Sequence, residues 1–148
     1  MATVSPSWNY TLHLPHDPRA PGIARGTLRL ILAAHSMPEL TPTAELLATE
    51  LLTNSHRHTD GPYALRLRSS APGRLRVAVW DTDPTIPPGF SDQSTSQPPP
   101  PTEHEHGRGL HLVRSCADAC GASVLGESVA SKSGKLLWAE CGGGVAAW

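Results

Sequence analysis

No apolar run in this 148-residue sequence approaches the roughly 20 residues needed to cross a bilayer. The first residues, Met1 to Trp8, lack the charged and apolar regions of a secretory signal, so a cytoplasmic protein is the expectation. Basic residues are scattered, and 12 Lys and Arg against 13 Asp and Glu give a formal net charge of −1. That balance argues against nucleic acid or an anionic membrane as the main partner. Cysteine is scarce: Cys116, Cys120 and Cys141 are odd in number and lack framework spacing, which suits a reducing compartment. Cys116 and Cys120 lie four apart and read as small apolar residues on one helix face; a zinc site would need more ligands nearby. Aromatic residues are few, one Phe and two Tyr beside four Trp. The length favours a single domain, 1–148, with a core large enough to stand without metal or disulfide staples.

What is present is strong periodicity. Trp8 to Leu14 alternates, with Trp8, Tyr10, Leu12 and Leu14 on one side, and predicts a strand. Pro15 to Gly22 is turn-rich. Ile23 to Ala34 has helical spacing, with Ile23, Thr27, Leu30, Ile31 and Ala34 as its apolar face, and Pro38 breaks it. Thr41-Pro42 opens a second helix, with Thr41 as a cap and Pro42 at the first position. It runs to about His58, with Ala44, Leu47, Ala48, Leu51, Leu52 and Ser55 facing the core, and Asp60-Gly61-Pro62 ends it. Tyr63 to Arg68 and Arg74 to Asp81 alternate as a hairpin joined through Ala71-Pro72-Gly73.

The segment 84–106 has no periodicity and gathers Pro84, Pro87, Pro88 and the run Pro98 to Pro101. A loop this long inside a compact domain is usually a functional lid or a disordered segment. Gly107 to Cys120 predicts a third helix through Leu110, Val113, Ala117 and Cys120, stopped by Gly121. Ala122 to Glu127 and Lys135 to Cys141 predict a second pair of strands, and Gly142 to Trp148 a loose tail. The order β-α-α-β-β-loop-α-β-β gives an α/β two-layer sandwich, a mixed, mostly antiparallel sheet covered on one face by helices.

Three short patterns carry chemistry. Glu50 and Asn54 are four apart on the second helix and share a face. An Asn carbonyl oxygen suits Mg²⁺, which takes few protein ligands besides water and phosphate, and a Glu can accept a proton from an attacking hydroxyl. Asp81 ends an apolar strand in Asp81-Thr82-Asp83-Pro84, where a carboxylate can accept a hydrogen bond from a ligand's amine. Gly107-Arg108-Gly109-Leu110 joins loop to helix, where glycines admit close approach and free N–H groups face an anion. Each pattern alone has a plain alternative: a solvated helix face, ordinary turn chemistry, a chance Gly-X-Gly.

Together, in this order and setting, they resemble the histidine-kinase-like (gyrase, chaperone, histidine kinase, MutL) ATPase superfamily, and within it the small anti-sigma-factor serine/threonine kinases. The likeness spans about Trp8 to Cys141. Ala44 to His58 is similar to the family's N box, Asp81-Thr82-Asp83-Pro84 to the start of its first glycine box, and Gly107 to Val113 to its second. Gly134 to Glu140 is similar to the closing strand of the subgroup. The resemblance implies a Bergerat-type ATP-binding fold with ATP and Mg²⁺ as cofactors. It implies Glu50 as general base, Asn54 as the Mg²⁺ ligand and Asp81 as the reader of adenine. Gly107, Arg108, Gly109 and Leu110 would embrace the phosphates, Arg57 and His58 would lie at the nucleotide mouth, and 84–106 would be the ATP lid. Its implied partners are a sigma factor and an antagonist protein phosphorylated on serine, with a homodimer as a further possibility. The alternative is a non-catalytic module that acts through protein binding.

This sequence departs from the family at Asp83 and Thr85, which stand where glycines are usual. Asp83 adds negative charge beside the expected nucleotide, for Mg²⁺ or Arg108 to offset. His104 and His106 beside Glu103 and Glu105 read as a solvated lid rather than a metal site. Trp138 reads as core. Trp80 faces away from Val77 and Val79, and either packs under the helices or covers the adenine edge. The Ile23 to Ala34 helix, with Arg25 and Arg29 outward, is the candidate docking surface.

Overall fold

The computed structural model describes residues 7–87, 90, 105–125 and 134–142, with the backbone alone at 105–109 and 125. Most of the lid segment, His104 with Glu103, and the tail beyond Gly142 lie outside the described residues. The elements are β1 (Trp8–Leu14), α1 (Ala20–Ala34), a 3-10 turn (Pro38–Leu40), α2 (Thr41–His58), β2 (Tyr63–Ser69), β3 (Arg74–Asp81), α3 (Glu105–Cys116), β4 (Ala119–Leu125) and β5 (Gly134–Gly142). The strands form one sheet in the order β1-β2-β3-β5-β4. Every pairing is antiparallel, the kind expected for most of the sheet. β2 and β3 form a short hairpin, and Gly73, at φ 72°, supplies the left-handed residue of its turn.

Alternation along the strands decides which face is covered. Leu65 and Leu67, Leu75, Val77 and Val79, and Leu137, Ala139 and Cys141 are buried in one core with the helices. Arg66 and Arg68 of β2 point the other way and are exposed. α2 packs on β2, β3 and β5, with α1 and α3 against its flanks. Its sheet-facing side is Ala44, Leu47, Ala48, Leu51, Leu52 and Ser55, each buried, as the spacing predicts. Each buried leucine contributes on the order of 2 kcal/mol of burial free energy. Among the described residues, no helix is long and apolar enough to cross a membrane.

Four expectations are corrected. α1 buries Ala20, Ala24, Leu28 and Leu32, while Ile23 and Leu30 are 59% and 70% exposed. Apolar residues occur all round this helix, and the stripe containing alanines is the one that docks closely. Thr41 makes no cap; it is the first residue of α2, following the 3-10 turn, with Leu40 at the cap position. α3 stops at Cys116, and the predicted helix end is strand instead: Ala119 pairs with Glu140 and Gly121 with Trp138 in β4–β5. Sheet pairing overrides the helical spacing there, led in by the Asp118 N–H donating to the Glu140 carbonyl at 2.7 Å. Cys116 and Cys120 therefore share no helix face; Cys116 is exposed, Cys120 half-buried and Cys141 buried.

Trp138 is the fourth. It lies on the uncovered face of the sheet, not in the core, pressed on Gly121 with the Arg76 guanidinium 4.1 Å above its ring. A Cβ at position 121 would come within 2.6 Å of the indole. Trp80 shares that uncovered face, being of opposite parity to the buried Val79 and Asp81, so it does not pack under the helices.

Candidate functional site

The candidate site is organised by α2, whose C-terminal half lies over the end of β3. Alternation turns Asp81 to the helix-covered side, where its side chain is 1% exposed. The Ser55 hydroxyl on α2 donates to Asp81 Oδ2 at 2.6 Å. Asn54, the preceding residue, is buried at 9% exposure, and Glu50, one turn earlier, is half-buried. Glu50 and Asn54 thus line the side of α2 next to the stripe that holds Leu51 and Ser55 against the sheet.

Opposite Asp81 in the β3–β5 register stands Lys135. It occupies an inward position of β5, alternating with Leu136 and in phase with Leu137, Ala139 and Cys141, and is 2% exposed. Its ammonium donates to Asp81 Oδ1 at 2.9 Å, to Asp81 Oδ2 at 3.0 Å and to the Asp83 carbonyl at 3.1 Å. The Asp83 N–H also donates to Asp81 Oδ1, at 3.0 Å. Gly134 lets β5 enter this close: a Cβ there would overlap the Asp81 carbonyl oxygen. Sequence reasoning placed Ser55 in the core and read Lys135 as an ordinary strand residue. The available signal was parity, a lysine at a position whose neighbours two and four residues on are apolar and inward.

Around this centre the polar residues are distributed as follows. The Asp83 carboxyl accepts the Thr85 N–H at 3.0 Å. That hydrogen bond, with lesser help from the charges of Lys135 and His58, holds it below the usual carboxylate range. Arg57 and His58 are exposed in the last turn of α2, where cations complement the helix dipole. The Thr59 hydroxyl ends the helix by donating to the Ser55 carbonyl at 2.9 Å. His56 is committed to structure: Nδ1 is 2.9 Å from the Tyr63 hydroxyl, and its ring stacks on His16 at 4.1 Å. Burial, then the charge of Asp17, raises the Tyr63 phenol above its ordinary value.

Gly107, Arg108 and Gly109 fall in the first turns of α3, which begins two residues earlier than the spacing predicts. Leu110, the sixth residue of α3, is buried in the core at 7% exposure. Helix geometry commits the N–H groups of Gly109 and Leu110 to intrahelical bonds, so of the four residues expected to embrace phosphate these two are corrected. α3 packs mainly on α2. The first N–H groups of a helix lack intrahelical partners and favour anions.

Two halves of a nucleotide site can be tested against these residues. The Glu50 and Asn54 side, with a helix N-terminus on the neighbouring element, has the donor chemistry for a Mg²⁺–phosphate group. Among the described residues no cluster of three or more His, Cys, Asp or Glu could hold a metal alone, so phosphate and water would complete the shell. The base side fits less well. Asp81 accepts from Lys135, Ser55 and the Asp83 N–H, which uses the acceptor positions an adenine amine would need.

A search of curated proteins found no match. The family model for the histidine kinase-like ATPase domain matches residues 14–138, from the end of β1 into β5 and across Glu50, Asn54, Asp81, Gly107 to Leu110 and Lys135. The chain belongs to the histidine kinase-like ATPase domain family.

Proposed function

We propose that this chain is an ATP- and Mg²⁺-dependent regulator of the anti-sigma type, which binds a sigma factor and transfers phosphate to a serine of an antagonist protein. The observation that supports it most is Glu50 and Asn54 on one side of α2, beside the point where Ser55 meets Asp81, in a chain of this family. In this reading Asn54 holds Mg²⁺ through its carbonyl oxygen and Glu50 polarises the partner's serine hydroxyl. The first turn of α3, as far as Gly107, offers its main-chain N–H groups to phosphate, Arg108 adds a cation, and Arg57 and His58 border the mouth. ATP, when bound, supplies the phosphoryl group; the residues contribute positioning and charge. The partner surface is proposed on α1, where Ile23 and Leu30 are exposed and Arg29 is held by Glu45 at 2.6 Å.

The test is transfer of a γ-phosphate label to a protein of the host cell. The expected result is labelled phosphoserine on a small protein with the wild type, absent with Glu50→Ala, while Glu50→Ala keeps its protein partners. Label that does not depend on Glu50, or no label, overturns the kinase assignment. A second reading, a non-catalytic module that works by protein binding, is favoured by one observation: the closure of Asp81 by Lys135. It predicts partner binding without transfer.

A further inference from the structure

Asp81 and Lys135 saturate one another. A carboxylate has about four acceptor positions and an ammonium three protons. At Asp81, Oδ1 takes Lys135 Nζ and the Asp83 N–H, and Oδ2 takes Lys135 Nζ and the Ser55 hydroxyl. At Lys135, the protons go to the two Asp81 oxygens and to the Asp83 carbonyl. Both side chains are at least 98% buried, so water offers neither an alternative partner. Gly134 fixes the arrangement, because the backbone of β5 can pass the Asp81 carbonyl only without a Cβ.

A purine entering here meets no vacancy for its edge. The adenine amine is a neutral donor and would have to displace a charge-assisted bond to Asp81, the stronger of the two kinds. The guanine O6 is an acceptor, and the Lys135 protons are already engaged. Neither base gains, so neither is preferred. We propose that Lys135 is a specificity-determining residue that caps the base-reading carboxylate, so that purine nucleoside triphosphates are held by their phosphates with little distinction between adenine and guanine. This rests on the nucleotide reading of the site given above. Shortening Lys135 to threonine removes the cap and leaves Asp81 held by Ser55 and the Asp83 N–H alone, with lone pairs for an amine and repulsion for O6.

The experiment is calorimetric titration of the full chain with MgATP and with MgGTP, on the wild type and on Lys135→Thr. Wild-type affinities for the two nucleotides within about threefold, and a preference for ATP of about tenfold or more in Lys135→Thr, are expected. Binding of ATP by Lys135→Thr with none by the wild type overturns the proposal, because the phosphates then do not hold a nucleotide past the cap. A wild-type preference for ATP of tenfold or more overturns the proposal while leaving the nucleotide site intact. A folded Lys135→Thr that binds both nucleotides with the wild-type ratio also overturns it. If neither protein binds either nucleotide, the nucleotide reading itself falls and the proposal with it. Should Lys135→Thr fail to fold, the wild-type ratio decides alone.

Discussion

Two directly opposed ion pairs join β3 and β5 and differ in almost every respect except chemistry; Glu140 also lies 3.9 Å from Arg74. Asp81–Lys135 and Arg76–Glu140 are both directly opposed in the register. They lie an odd number of residues apart on each strand, which puts them on opposite faces of the sheet. The first pair is buried, with side chains 1% and 2% exposed, and every polar atom is matched. The second is 36% and 27% exposed, with the Arg76 guanidinium also lying over Trp138. In the buried pair each charge depends on the other, because water is not there to replace it. In the exposed pair water and salt replace either partner at little cost. One site is therefore closed and specific, the other adaptable, though the same two strands build both.

The largest effect expected is at the buried pair. Lys135→Met leaves Asp81 charged and unpaired, and urea unfolding should show a loss of about 3–5 kcal/mol. Adding Asp81→Leu to that variant should recover part of the loss, since the unpaired charge is gone; no recovery would break the contrast. Gly134→Ala comes next, because the new methyl must push β5 off the Asp81 carbonyl. Thermal unfolding should register about 1–3 kcal/mol, the usual cost of overpacking. On the open face, Glu140→Ala should cost no more than about 1 kcal/mol, and the cost should shrink further in salt. A loss as large as that of Lys135→Met would mean that burial is not what separates the two pairs.

The smallest effect extends the comparison to thiols. Burial, with help from the Asp118 charge, pushes the Cys141 thiol up to about 11. The folded chain keeps this proton while the unfolded chain releases it from about the ordinary value of 9.0. Its contribution to stability is thus complete below that value and lost as the pH rises through about 11. In native chain at pH ~8, alkylation should modify exposed Cys116 quickly and buried Cys141 only after unfolding. Equal rates would place Cys141 outside the core.

The parts of the fold legible in the sequence are those where one periodicity acts alone. α2 runs from Thr41 to His58, one residue earlier at its start than the expected Pro42, and β3 from Arg74 to Asp81, the bounds that turns and alternation indicate. Where two tendencies compete, the sequence misleads. Leu110, Val113, Ala117 and Cys120 continue a helical stripe, but β4 takes Cys120 because β5 offers it a ladder of hydrogen bonds. α1 carries apolar residues on several sides, and only the packing partner selects Ala24, Leu28 and Leu32. In the candidate site, Glu50, Asn54 and Asp81 were visible as motif residues. Lys135 was not, since a lysine on a strand ordinarily reads as exposed and its partner is 54 residues away.

In the proposed reading, the side of α2 bearing Glu50 and Asn54 holds a metal–triphosphate group. Calorimetry of ATP binding with and without Mg²⁺, on the wild type and on Asn54→Ala, tests it most directly. Mg²⁺-dependent binding in the wild type and a loss of about tenfold or more, about 1.4 kcal/mol, in Asn54→Ala are expected. No binding at millimolar ATP, or equal binding by Asn54→Ala, would contradict it.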